Sequence, residues 1–152
     1  MFKSKILPVL VCTVIGSLVL GLAPVFAQEC PPEHEMVPVT IDIKPGGYPN
    51  PINPNSAGLT PVALLGSATF DVASVDTGTV TFHPMGRCEQ AVPPKRLAFT
   101  DVNNDGYTDI LFHFKTRDVG FQPGDTAACL HGTLLETGEH FCGHDDIVIV
   151  GR

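Results

Sequence analysis

A chain of 152 residues with a net charge of −7, dispersed acids and no run of Lys or Arg gives neither nucleic acid nor an anionic membrane surface an electrostatic footprint. Its 15 glycines and 14 prolines favour short strands and tight turns over long helices. With no tryptophan and two tyrosines, a sugar-stacking platform is poorly furnished.

Met1-Phe2-Lys3-Ser4-Lys5 is a short basic segment. Ile6–Leu22 is an apolar run interrupted by Pro8, Gly16 and Gly21, and Ala23–Ala27 ends on small residues where a signal peptidase reads. The expectation is a cleaved signal peptide over 1–27, an N-terminal tail over 28–36 and a single domain over 37–152. The product is secreted or periplasmic, with no membrane span after cleavage. Lys3 and Lys5 leave with the signal and no acid does, so the exported chain is more acidic than the whole.

Of the five cysteines, Cys12 departs with the signal, and Cys30, Cys88, Cys129 and Cys142 remain, an even number in an oxidising compartment. Several pairings are open. Cys129–Cys142 is expected, because Leu130–Leu135 and Glu139–Cys142 read as hairpin arms around Glu136-Thr137-Gly138, and that leaves Cys30–Cys88 to pin the tail. The competing use of these thiols is zinc, together with His34, His83, His131, His140 or His144. Neither the Cys-x-x-Cys nor the His-Glu-x-x-His spacing is present, however.

Val37–Ile43 opens the domain with a two-residue alternation that puts Val37, Val39, Ile41 and Ile43 on one strand face. Lys44–Ser56 follows, with prolines at 45, 49, 51 and 54, which excludes helix and central strand because each proline removes a donor and fixes φ. Leu59–Leu65 is the next apolar run. Phe70–Ser74 suits a strand end or one helical turn, and Asp76-Thr77-Gly78 is a turn leading into Thr79–His83. Arg96–Thr100, Ile110–Lys115, Ala127–Thr133 and Ile147–Val150 supply later strands. The fold class expected is all-β: an antiparallel β-sandwich, Ig-like or a related Greek key, of about seven to eight short strands stapled by disulfides.

Asp101-Val102-Asn103-Asn104-Asp105-Gly106-Tyr107-Thr108-Asp109 is spaced like a calcium loop. Side chains of Asp101, Asn103, Asp105 and Asp109 fall at loop positions 1, 3, 5 and 9, the Tyr107 carbonyl at position 7, and Gly106 at the sharp turn of position 6. Oxygen donors in that phase suit a hard cation, Ca2+, whose charge offsets the repulsion among three carboxylates. The competing reading is a solvated loop of Asx turns. Phe112 stands where an EF-hand has its bidentate carboxylate, so helices are not expected on either side.

In its order of acids and amides followed by Gly-aromatic-x-Asp-aliphatic, this loop resembles the calcium loops of FG-GAP/integrin-type propeller blades. It occurs once, whereas a propeller needs several blades. More broadly, Ile41-Asp42-Ile43-Lys44-Pro45-Gly46-Gly47, Pro49–Asn55, Pro61–Gly66, the Asp101–Asp109 loop and Pro123–Cys129 together resemble a family of small exported bacterial domains. That resemblance implies secretion and a small β fold, and brings no catalytic activity with it.

No Gly-x-Ser-x-Gly surrounds Ser56, Ser67 or Ser74. Asp42, Asp71, Asp76 and Asp125 suit a polar strand face, turns and caps as well as they suit a carboxylate pair. His113 shares its strand face with Leu111 and Lys115 and reads as a surface residue, and His140, His144, Asp145 and Asp146 read as a polar hairpin end. The function expected is that of a non-catalytic calcium-binding module for adhesion to a protein or polysaccharide partner at the cell envelope. An exposed face of Tyr48, Ile52, Phe121 and the proline-rich loop would favour that role, and a small secreted hydrolase using acidic residues is the alternative.

Overall fold

The computed structural model describes residues 36–151. The expected signal peptide, Cys30, His34 and nearly all of the N-terminal tail lie outside the described residues. Among the described residues there are ten strands: β1 Val37–Pro38, β2 Ile41–Ile43, β3 Pro51–Ile52, β4 Leu59–Leu64, β5 Val75–Pro84, β6 Arg96–Thr100, β7 Asp109–Lys115, β8 Ala127–Leu134, β9 His140–Asp146 and β10 Val148–Ile149. Among the described residues the only α-helix is the single turn α1, Thr116–Val119, ended by Gly120 at φ 73°.

The strands form two four-stranded sheets, ordered β1-β9-β8-β5 and β2-β4-β7-β6, and a two-stranded parallel pair, β10-β3. Most ladders are antiparallel, the exceptions being β1 with β9 and β10 with β3. The described residues are therefore all-β, as the turn-rich sequence leads one to expect.

Alternation decides which side chains each strand buries. Ile110, Phe112 and Phe114 of β7 are fully buried while Leu111 and His113 lie on the other face, and Phe82 of β5 and Leu130 of β8 bury from the second sheet. The faces meet in one hydrophobic cluster that includes residues of both four-stranded sheets, and the Phe82 and Phe114 rings are centred 4.9 Å apart. A fully buried phenylalanine of this kind contributes about 3–5 kcal/mol when judged by truncation to alanine.

Val37–Ile43 is not one strand. β1 pairs with β9, β2 pairs with β4, and the chain between them crosses from one sheet to the other, with the Val39 amide donating to the Cys142 carbonyl and the Thr40 carbonyl accepting from Leu65. Pro38, which has no N–H to donate, sits on an edge strand where none is needed. Within the proline-rich loop, Pro51–Ile52 pairs with β10, and buried Asn50 holds the crossing through its Nδ2, which donates to Asp145 Oδ2 and the Asp146 carbonyl.

Phe70–Ser74 resolves into a 3-10 turn, Val72–Ser74, capped by Asp71 through the Ala73 amide. The turn at Asp76-Thr77-Gly78 lies inside β5 as an irregularity of register between Asp76 and Thr81, with the Gly78 amide donating to Asp76 Oδ1. The expected hairpin around Gly138, here at φ 70°, joins β8 to β9.

Candidate functional site

The Asp101–Asp109 loop connects β6 to β7, so it lies between strands. Gly106 takes φ 89°, and Asn104 takes φ 60°, a conformation that asparagine tolerates better than most residues. The acids and the amide turn their oxygens onto the loop's own backbone. Asp101 accepts from the amides of Asp105 and Gly106, Asn103 Oδ1 accepts from Asp105, and Asp105 Oδ1 accepts from Tyr107. Asp101, Asn103, Asp105 and Tyr107 are exposed.

Asp109 differs from the others. It is completely buried, its Oδ1 accepts from the Gly66 amide at 2.8 Å, and its Oδ2 accepts from the Val102 amide at 2.8 Å. One carboxylate thus ties the end of β4 to the start of the loop. A carboxylate oxygen has two lone pairs, so these bonds leave acceptor capacity on each oxygen. Asp101, Asn103, Asp105, Asp109 and the Tyr107 carbonyl are the groups that would hold Ca2+, and the same hydrogen bonds also serve as a network of Asx turns.

Histidines and cysteines collect elsewhere, on the face of the β1-β9-β8-β5 sheet turned away from the core. On β8, Cys129 and His131 alternate with core residues Ala128 and Leu130; on β9, Cys142 and His144 flank Gly143. Register places Cys129 between His83 and His144, and His131 between Thr81 and Cys142. The His83 and His131 rings meet edge to face at 4.7 Å. His83, His131 and Cys88 bring their donor atoms within 4.8 Å of one another.

The expected Cys129–Cys142 disulfide is not formed; both residues are thiols. The hairpin register explains this, because the two are diagonal neighbours rather than facing residues. Such diagonals lie roughly 7–8 Å apart, beyond the Cα separation at which a disulfide closes without strain. Instead the Cys129 thiol hydrogen-bonds to the Cys142 sulfur and is the main reason that the Cys142 thiol is pulled down to about 4; contact with His131 adds to this and burial opposes it. Cys88 is disulfide-bonded. Cys30, its expected partner, lies outside the described residues.

Burial pushes His83 below the usual histidine value, against the opposing pull of the Pro84 carbonyl. His113 is lowered as well, by burial and by nearby Arg96. His140 and His144 are exposed along β9 and do not join the His83–His131 pair. The signal that reads this cluster from sequence is Cys129-x-His131 facing Cys142-x-His144 across a hairpin. A search for helical or knuckle spacings passes over it, because period two is the same-face spacing of a strand.

The carboxylates take up structural work. Asp71 caps its turn, Asp76 closes the turn in β5, and Asp125 pairs with Arg87 and accepts from the Gln122 amide. Asp42, on β2, is raised by burial and by neighbouring Asp145. The face of Tyr48, Ile52 and Phe121 does not exist as an exposed surface: Ile52 and Phe121 belong to the core, and Tyr48 alone projects. Among the described residues no helix is long and apolar enough to cross a membrane. No family model and no curated protein matches this sequence.

Proposed function

We propose that this chain is an exported, non-catalytic module: an antiparallel β-sandwich, Ig-like or a related Greek key, stapled by Ca2+ at the Asp101–Asp109 loop and working by adhesion to a protein or polysaccharide of the cell envelope. The observation that carries the reading is the loop itself. Three exposed oxygen-bearing side chains at alternate positions, a left-handed glycine at position 6 and a buried carboxylate at position 9 are the parts of a calcium loop. Joining two β-strands, it is placed to let an ion hold the β6 and β7 ends together.

Two four-stranded sheets contributing to one core support the sandwich. Phe99 on the β6 edge and Tyr107 in the loop are both exposed and offer a surface for adhesion. A hydrolase reading draws no support from Asp71, Asp76 or Asp125, whose oxygens are engaged in caps, turns and an ion pair.

The test is the melting temperature of the purified protein in calcium and in excess chelator. Exported modules bind calcium with dissociation constants on the order of 10⁻⁴ to 10⁻³ M, and a tenfold excess of ion over that constant stabilises by roughly 1.4 kcal/mol. Calcium is expected to raise the melting temperature of the wild type and to leave Asp105→Ala unmoved. Superimposable wild-type curves in calcium and chelator would sink the reading.

A further inference from the structure

The densest set of soft and borderline metal donors lies on the other sheet from the acidic loop. Three adjacent strands contribute to it: His83 from β5, Cys129 and His131 from β8, and Cys142 from β9. His83 faces Cys129 and His131 faces Cys142, so the four occupy neighbouring positions on one sheet face. The His131 ring leans towards His83, with donor atoms of the two within 4.8 Å. Cys142 sits directly opposite His131 and diagonally from Cys129 on that face, and both neighbours draw its thiol down.

A second, independent observation comes from His83. Its Nδ1 lies 2.9 Å from the Pro84 carbonyl. A carbonyl only accepts, so Nδ1 carries the proton and Nε2 the lone pair. That Nε2 is buried without a hydrogen-bond partner, on a residue only 1% exposed. Buried acceptors are nearly always satisfied, and an orphan in a native structure has a cause. A histidine whose Nδ1 donates to a backbone carbonyl while its Nε2 keeps an unengaged lone pair, on the sheet face that also carries Cys129, His131 and Cys142, has the arrangement of a metal ligand with its orienting partner.

We propose that His83 Nε2, His131, Cys129 and Cys142 bind one divalent transition metal ion of the zinc class. Two thiolates and two imidazoles form a tetrahedral set that suits zinc and rejects the hard cations of the acidic loop. Binding releases to solvent whatever proton the two sulfurs still hold, and the two thiolates balance the charge of the ion, so no oxidant or reductant is required. Cys88, held in a disulfide, has no thiolate to give; it stands beside the two rings and helps to wall the site. The ion would cross-link β5, β8 and β9 on the sheet face turned away from the core.

The test uses the full chain expressed with its N-terminal segment intact, the exported product purified without chelator, and Co2+ as the spectroscopic probe. One equivalent of Co2+ is expected to give a thiolate-to-cobalt charge-transfer band and tetrahedral visible bands, abolished by one equivalent of Zn2+ and unaffected by excess Ca2+. Cys142→Ser should lose the charge-transfer intensity that its sulfur supplies. His83→Gln, a conservative change checked for folding by circular dichroism, should weaken binding by at least about tenfold. Asp105→Ala, which disables the acidic loop, should leave the cobalt spectrum unchanged, so this site and the calcium loop succeed or fail separately. The proposal is overturned if protein with both thiols titratable gives no charge-transfer band, or if His83→Gln binds as the wild type does. Isolation of the product without metal and with Cys129 and Cys142 oxidised would overturn it equally.

Discussion

His131 faces Cys142 directly across the β8–β9 ladder, and the next pair on the same sheet face is Cys129 opposite His144. Each thiol therefore faces an imidazole across the ladder, with the other thiol on the diagonal. That arrangement keeps both sulfurs as thiols in an otherwise disulfide-permissive sequence, and it bears on how each cysteine reacts.

In chelator-treated protein, an alkylating reagent applied before reduction should label Cys129 and Cys142 and spare Cys88, whose sulfur is already bonded. With its thiol pulled down to about 4, Cys142 should react at nearly constant rate across neutral pH. An ordinary thiol, titrating at about 8.5, would instead gain close to tenfold per unit over that range. Mass mapping of the labelled peptides decides the first point and a pH–rate profile the second; a Cys142 rate that climbs steeply through neutrality contradicts the expectation.

Asp109→Ala removes the acceptor of two backbone amides, Gly66 and Val102, at a fully buried position. Leaving buried donors unsatisfied costs about 1–3 kcal/mol each, so a loss of roughly 2–6 kcal/mol is expected in urea denaturation. Carried out in chelator, the measurement reports the hydrogen bonds alone. Asp109→Asn, which keeps one acceptor oxygen, should lose less.

Gly66→Ala should be destabilising despite its modest chemistry. A Cβ at that position would come within 2.2 Å of the Thr108 carbonyl oxygen, a backbone atom that cannot swing aside. Relief requires β4 or the Asp101–Asp109 loop to shift, at a cost of about 1–3 kcal/mol. Because the Gly66 amide also binds Asp109, the shift should lower any calcium-dependent gain in melting temperature as well. Unchanged denaturation and calcium response would show that the loop gives way freely.

Asp42→Asn should stabilise the protein near neutral pH. Burial, and then Asp145, raise the folded-state value of this carboxyl above its ordinary one, so its ionisation opposes folding. The penalty is fully present above the raised value and fades as pH falls through it towards the unfolded-state value, where Asp42 is protonated in both states. The melting temperature of Asp42→Asn should therefore exceed that of the wild type at neutral pH, with the two converging as the pH becomes acidic. A difference independent of pH would assign the effect to packing.

Much of the fold is legible in single segments. Apolar runs bounded by turn residues mark β4, β6, β7, β8 and much of β5, and alternation within Ile110–Lys115 puts Ile110, Phe112 and Phe114 on one face, because a strand's side chains alternate whatever the strand pairs with. The acidic loop is legible for a similar reason: its candidate donors lie within nine consecutive residues, and Gly106 announces the turn.

What alternation does not carry is the choice of partner and register. Val37–Ile43 reads as one strand, yet its halves pair in different sheets. Ile52 and Phe121, whose exposure would have favoured an adhesive face, are core residues. Cys129 and Cys142 read as a bridging pair, and a register that sets them on the diagonal keeps them apart. The sequence by itself determined strand character, turn positions and the local oxygen-rich loop, all of which depend on near neighbours. Only the tertiary structure decided that His83, Cys129, His131 and Cys142 share one face of three adjacent strands, since a cross-strand ladder joins residues far apart in sequence and a slip of one residue would turn each side chain to the opposite face.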